Sequence, residues 1–198
     1  MNASPTNVGS EKNGSGSSGG PAIDLYSILA PVDFSPASQR GLAFAAALAG
    51  RFQSKIQLMH VVEPPTLPEW GYAHIPQREA RLRHAAQEKL PQLPGECGLD
   101  AGLVQSVQVR SGDAASEICH AAAEWRCDLI VLASHGLGGL QHAFSGSTAE
   151  RVVRRAPCPV LTVRDRALRK TGASPATFDL KRILMTTDFS DEIGRAHV

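Results

Sequence analysis

The chain has 198 residues, room for one domain or a short pair, and its 42% hydrophobic and 20% charged residues are the balance of an ordinary globular protein that buries a core. A formal net charge of +1, with both signs interspersed, supplies no basic field for nucleic acid or anionic lipid, so neither is an expected partner. Cys97, Cys119, Cys127 and Cys158 form no C-x-x-C pair, which points away from a zinc knuckle or redox dithiol and toward free buried thiols in a reducing cytosol. The N-terminus lacks the basic and apolar regions of a secretory signal, and no apolar run approaches the roughly 20 residues that span a bilayer, so the expectation is a cytoplasmic protein.

Residues 1–23 are rich in Gly, Ser and Asn and have almost nothing to bury, which reads as a disordered tail. From Asp24 the character changes. The apolar run Tyr26 to Val32 is a first strand, and Ser35-Pro36 then opens a helix as N-cap and first helical residue, running to about Arg51. Leu42, Ala43, Ala45, Ala46, Ala47, Leu48 and Ala49 favour that helix and are small enough to pack close to a sheet. A second buried-type strand, Ile56 to Val62, ends before Pro64-Pro65. An exposed connection follows to Pro76, in which Trp70 and Tyr72 read as surface packing. Helical patterns cover about Gln77 to Leu90, Asp113 to about Trp125, and Ser147 to about Arg155. Strands cover Leu103 to Arg110, Leu129 to Ala133, and Pro159 to Val163. Strands alternating with helices specify a five-stranded, open, doubly wound parallel sheet over residues 24–165.

The opening strand recurs. Tyr26-Ser-Ile-Leu-Ala-Pro-Val-Asp33-Phe34-Ser35 is matched by Lys181-Arg-Ile-Leu-Met-Thr-Thr-Asp188-Phe189-Ser190, with the same Asp-Phe-Ser corner. Residues 181–198 therefore read as the truncated start of a second domain, joined by a linker over 166–180 that carries Gly172 and Pro175.

Ligands of open α/β sheets sit beyond the carboxyl ends of the strands, where the winding reverses. Asp33 follows the first strand directly. Ala133-Ser134-His135-Gly136 follows the fourth, leading through Gly138 and Gly139 to Gly146-Ser147-Thr148 at the start of the last helix. With strand order 3-2-1-4-5 the two segments face one crevice. Backbone without Cβ lets an anion approach closely, and free N–H groups at a helix start stabilise phosphate charge. Ser147 and Thr148 add hydroxyls or cap that helix. The glycines alone fit a tight turn equally well.

The spacing resembles that of the universal stress protein family, whose ATP-binding members carry G-x2-G-x9-G-S/T; here it reads Ala133-x2-Gly136-x9-Gly146-Ser147. ILAPVDFSPAS (Ile28 to Ser38), DLIVLASHG (Asp128 to Gly136) and STAERVVRRAPCPVLTVR (Ser147 to Arg164) are similar to that family's opening, fourth strand, and last helix and strand. The resemblance implies an adenine nucleotide alpha hydrolase-like fold, a homodimer or tandem pair joined through the last strand, and a role in stress response. By position, Asp33 would sit near the adenosine end and Val61 would offer backbone hydrogen bonds to adenine. Gly136, Gly146 and Ser147 would hold ribose and phosphates, with Mg²⁺ bound through phosphates and water. Ala133 stands where the motif has its first glycine, and its methyl group bears on how closely a nucleotide can approach.

His135 beside the loop reads as a structural hydrogen-bonding residue or a phosphate contact. Arg151, Arg154 and Arg155 read as a solvated helix face or phosphate contacts, and Gly112-Asp113 as a turn with N-cap. The leading functional expectation is an ATP-binding regulatory or interaction module that is not an enzyme. A nucleotide-independent interaction protein is the alternative. An enzyme cleaving ATP between its α and β phosphates fits less well, because such fold relatives carry an S-G-G-x-D-S-like loop where this chain has P-V-D-F-S.

Overall fold

The first, second and fourth runs form strands whose middle residues are covered on both faces, as a parallel sheet flanked by helices requires, whereas the third alternates and leaves Gln105, Val107 and Gln108 exposed at the sheet edge. The computed structural model describes residues 24–64, 75–133 and 147–163. The strands are β1 (Ser27–Pro31), β2 (Lys55–Val62), β3 (Val104–Ser111), β4 (Leu129–Ala133) and β5 (Val160–Val163). All neighbouring pairs are parallel, in the order β3-β2-β1-β4-β5, as the sequence predicts. This is the adenine nucleotide alpha hydrolase-like arrangement.

Side chains alternate along each strand, and the alternation divides two cores. Ile28 and Ala30 of β1 and Ile56 and Leu58 of β2 point to one face, Leu29 and Met59 to the other, and all are essentially inaccessible to solvent. Helix α1 (Pro36–Phe52) covers the first face through Leu42, Ala45 and Ala49. It is joined there by Leu90 and Leu93, which follow α2 (Ile75–Lys89). Helices α4 (Ala114–Glu124) and α5 (Ser147–Arg155) cover the second face through Ala115, Ile118, Ala121, Ala149 and Val152.

The ends of α1 follow from its sequence. Ser35, in extended conformation, accepts a hydrogen bond from the Ser38 amide and Pro36 occupies the first turn; the helix closes at Gln53, left-handed at φ 57°, whose N–H donates to Ala49 O. Between α2 and β3 the chain is more ordered than the sequence suggests. A 3-10 turn at Leu90–Gln92, the one-turn helix α3 (Leu93–Glu96) and a second 3-10 turn at Ala101–Leu103 fill the interval. Pro91 and Pro94 sit where helix starts tolerate them, while burial of Leu90 and Leu93 holds the segment against the sheet. Asp100 caps the second turn by accepting from Gly102 N at 2.8 Å, so β3 begins one residue later than expected.

At the amino ends of the strands, the Asp128 carboxylate accepts from the amides of Tyr26 and Ser27, both at 2.8 Å, which aligns β1 with the approach to β4. The opposite, carboxyl end of the sheet carries Asp33 after β1 and Ala133 at the end of β4. The segments expected to form the tail (1–23), the linker (166–180) and the start of a second copy (181–198), and the connection with Trp70 and Tyr72, lie outside the described residues. Among the described residues, no helix is long and apolar enough to cross a membrane.

Candidate functional site

β1 and β4 are neighbours, with Ile28 beside Leu129 and Leu29 beside Ile130, yet the chain leaves β1 toward α1 on one face and returns after β4 in α5 on the other. The carboxyl ends of these two strands are thus the point where the winding reverses, and such a point opens a crevice.

Asp33 sits at the end of β1 in a tight corner. Its Oδ1 accepts from Ser35 N at 3.0 Å and its own amide donates to Ser38 Oγ at 3.3 Å, an Asx turn built onto the helix cap. The corner places Phe34 at φ 61°, left-handed backbone that is uncommon for a bulky side chain. The Phe34 ring lies against His60 on β2, centroids 4.5 Å apart, and the Lys89 ammonium stands 4.8 Å from its centroid. His60 Nδ1 is 2.7 Å from Val32 O.

Phe34, His60 and Lys89 line a cleft of about 300 Å³ whose other walls include Val61, Glu63, Leu82 and Ala86. It is apolar in body, with a carboxylate, an ammonium and an imidazole among its lining groups. That volume is the lower end of ordinary small-molecule pockets.

Beyond the cleft, Glu63 Oε1 accepts from Ala114 N at 3.1 Å, joining the end of β2 to the start of α4. Asp113 caps that helix, accepting from Ser116 N at 3.0 Å, and also accepts from Arg151 Nη2 of α5 at 2.5 Å. The Arg151 guanidinium, followed by the Ser116 hydroxyl and amide, holds the Asp113 carboxyl well below the usual carboxylate range, and Asp113 in turn raises Arg151. Arg154 instead pairs with Glu150 on its own helix, at 2.9 Å. Of the readings open for these arginines, Arg151 has a structural ion pair and Arg154 a surface one.

The structure brings Asp33, Val61, Ala133 and Thr148 to one end of the sheet: Asp33 after β1, Val61 on β2 in the cleft wall, Ala133 as the last residue of β4, and half-buried Thr148 in the first turn of α5. Ser147 opens α5. His135, Gly136 and Gly146 lie outside the described residues. Ala133 occupies the motif's first glycine position, and the helix facing it carries a glycine: a Cβ at Gly41 of α1 would stand 3.4 Å from Ala133 N and 3.8 Å from the Ala133 methyl. The methyl is therefore accommodated on the α1 side of β4. Phe34, His60, Glu63 and Lys89 also line the cleft, and spacing did not single them out; Phe34 adjoins Asp33 and His60 adjoins Val61 along the chain, while no sequence signal marked Glu63 or Lys89.

The universal stress protein family model matches residues 26–164. The chain belongs to the universal stress protein family. This universal stress protein is 33% identical over 151 residues to a universal stress protein of Synechocystis, covering 75% of the present chain and 91% of that one. It is also 33% identical over 139 residues to one from Thermus aquaticus, covering 69% and 97%. Among solved structures, UspA from Lactobacillus plantarum matches with a TM-score of 0.64 at 25% identity, over 72% of this chain and all of that one. A universal stress protein solved in complex with cAMP shares the fold, with a TM-score of 0.52 at 20% identity over 71% of this chain and 97% of that one.

Proposed function

We propose that this universal stress protein binds ATP at the carboxyl end of its sheet and acts in the stress response as a nucleotide-dependent regulatory or interaction module in the cytoplasm. One observation carries the reading: β4 ends next to the β1 end that carries Asp33, at the point where the sheet reverses its winding, and in the sequence a Gly136-x9-Gly146-Ser147 spacing follows that end. In this reading Asp33 and Val61 serve the adenosine end. Gly136, Gly146, Ser147 and Thr148 hold ribose and phosphates at the start of α5, with His135 beside them and Mg²⁺ carried by the phosphates and water. The cleft has room for a base or nucleoside, which leaves the triphosphate to the glycine segment. A fold relative solved with cAMP supports an adenine nucleotide as the ligand class. Seating of the Ala133 methyl opposite Gly41 favours this reading over a nucleotide-independent one.

The protein acts by binding rather than catalysis, and its edge strand β5 pairs with a second copy or with a tandem domain, since an exposed edge is a template for another strand. Heat extraction of the freshly purified protein followed by chromatography tests the ligand. Bound adenine nucleotide is expected, falling at least tenfold in Gly136→Val and Gly146→Val. Retention unchanged in both variants would contradict the assignment of the glycine segment.

A further inference from the structure

His60 is fixed in one tautomer by its surroundings. Its Nδ1 is 2.7 Å from the Val32 carbonyl oxygen, which can only accept, so Nδ1 carries the proton. In the neutral ring Nε2 is then an unprotonated acceptor. The ring is held in place as well, because Phe34 packs against it with centroids 4.5 Å apart and planes inclined by 41°. Among the described residues, no protein donor meets Nε2, while His60 lines the cleft with Phe34, Leu82, Ala86, Lys89 and Glu63.

A fixed acceptor set among apolar walls selects ligands by their donors. A planar heterocycle carrying an exocyclic amine satisfies Nε2. The same ring with a carbonyl in place of the amine sets acceptor against acceptor and leaves both without a partner in a partly desolvated cleft. We infer that His60 is a specificity-determining residue for the base, accepting a hydrogen bond from the exocyclic amine of adenine through Nε2 and discriminating against 6-oxo purines. The Val32 carbonyl is the positioning group that sets the tautomer. This rests on the nucleotide reading above and adds the means by which the base is chosen.

ATP and inosine triphosphate differ at the purine 6-position by amine against carbonyl and at N1 by a bare acceptor against an N–H donor, so the part of the preference that His60→Phe removes is the part assigned to Nε2. Calorimetric titration of the full chain is expected to give at least a tenfold preference for ATP. His60→Phe keeps a ring against Phe34 but removes the acceptor; its ATP affinity falls toward that for inosine triphosphate and the preference shrinks to within about twofold. His60→Gln, whose amide offers donor and acceptor alike, narrows the preference by recovering inosine triphosphate binding, an outcome that simple loss of packing would not produce. Thermal melts establish that each variant is folded. Equal wild-type affinity for the two nucleotides, or an undiminished preference in a folded His60→Phe, overturns the role of His60 and leaves the nucleotide reading standing. Failure of the wild type to bind either nucleotide at millimolar concentration overturns both.

Discussion

Arg151 on α5 reaches across to Asp113, the N-cap of α4, with Nη2 2.5 Å from Oδ1, and so ties together the two helices that cover the second face of the sheet. Both side chains are partly exposed, so the pair acts through orientation more than through net Coulomb energy. Because the folded protein holds the Asp113 carboxyl below its unfolded range, this contribution to stability is complete above about pH 4 and is lost as pH falls further. Asp113→Asn is therefore expected to lower Tm by a few degrees at neutral pH and by progressively less below pH 4. Parallel melts of the two proteins from pH 7 to pH 3 check this; a gap that widens on acidification would contradict it.

Leu58 and Leu82 separate fold from site. Leu58 is inaccessible on β2, and Leu58→Ala is expected to cost about 2–5 kcal/mol in urea unfolding. Leu82 is 45% exposed and forms part of the cleft wall, so Leu82→Ala should change stability by no more than about 0.5 kcal/mol while weakening nucleotide binding several-fold.

α1 meets the end of β4 at Gly41, where a single added Cβ would reach ordinary van der Waals contact. A Cβ there already stands 3.4 Å from Ala133 N, and the two γ-methyls of valine extend further into β4. Gly41→Val should destabilise the fold by about 1–3 kcal/mol. Because the shift falls on Ala133, the same variant should also weaken nucleotide binding, to be read by calorimetry well below its Tm.

Cys158 gives a chemical measure of the second core. Burial, reinforced by neighbouring Cys127, pushes its thiol up to about 11. At pH 8 the native thiolate fraction is then roughly a hundredfold below that of an unfolded cysteine. Alkylation by iodoacetamide, followed by mass spectrometry of the Cys158 peptide, should be slower by about that factor in native protein than in denaturant. Comparable rates in the two conditions would show that the β4–β5 side opens readily.

Hydrophobic period and end signals made most of the fold legible in the sequence. Ser35-Pro36 marked the start of α1 and Asp113 the start of α4, because a capping oxygen and a fixed φ act through the residues next to them. The segment from Leu90 to Leu103 was less legible. Its prolines and glycines resemble a loop, and only tertiary burial of Leu90 and Leu93 makes it turn and helix. The site divides in the same way. Position and spacing along the chain singled out Asp33, Ala133, Gly136 and Ser147 as candidates, of which Gly136 lies outside the described residues. Phe34, His60 and Lys89 are distant from one another in sequence and meet only when β1, β2 and α2 are assembled, so no local pattern reports their ring and cation contacts.

Calorimetric titration of ATP with Mg²⁺ into nucleotide-free protein decides whether this universal stress protein is a nucleotide-binding module. Saturable binding of one ATP per chain at or below millimolar concentration, abolished in Gly146→Val, is the predicted result. A folded, nucleotide-free wild type that takes up no ATP at millimolar concentration would contradict the account and leave the fold to act through protein contacts alone.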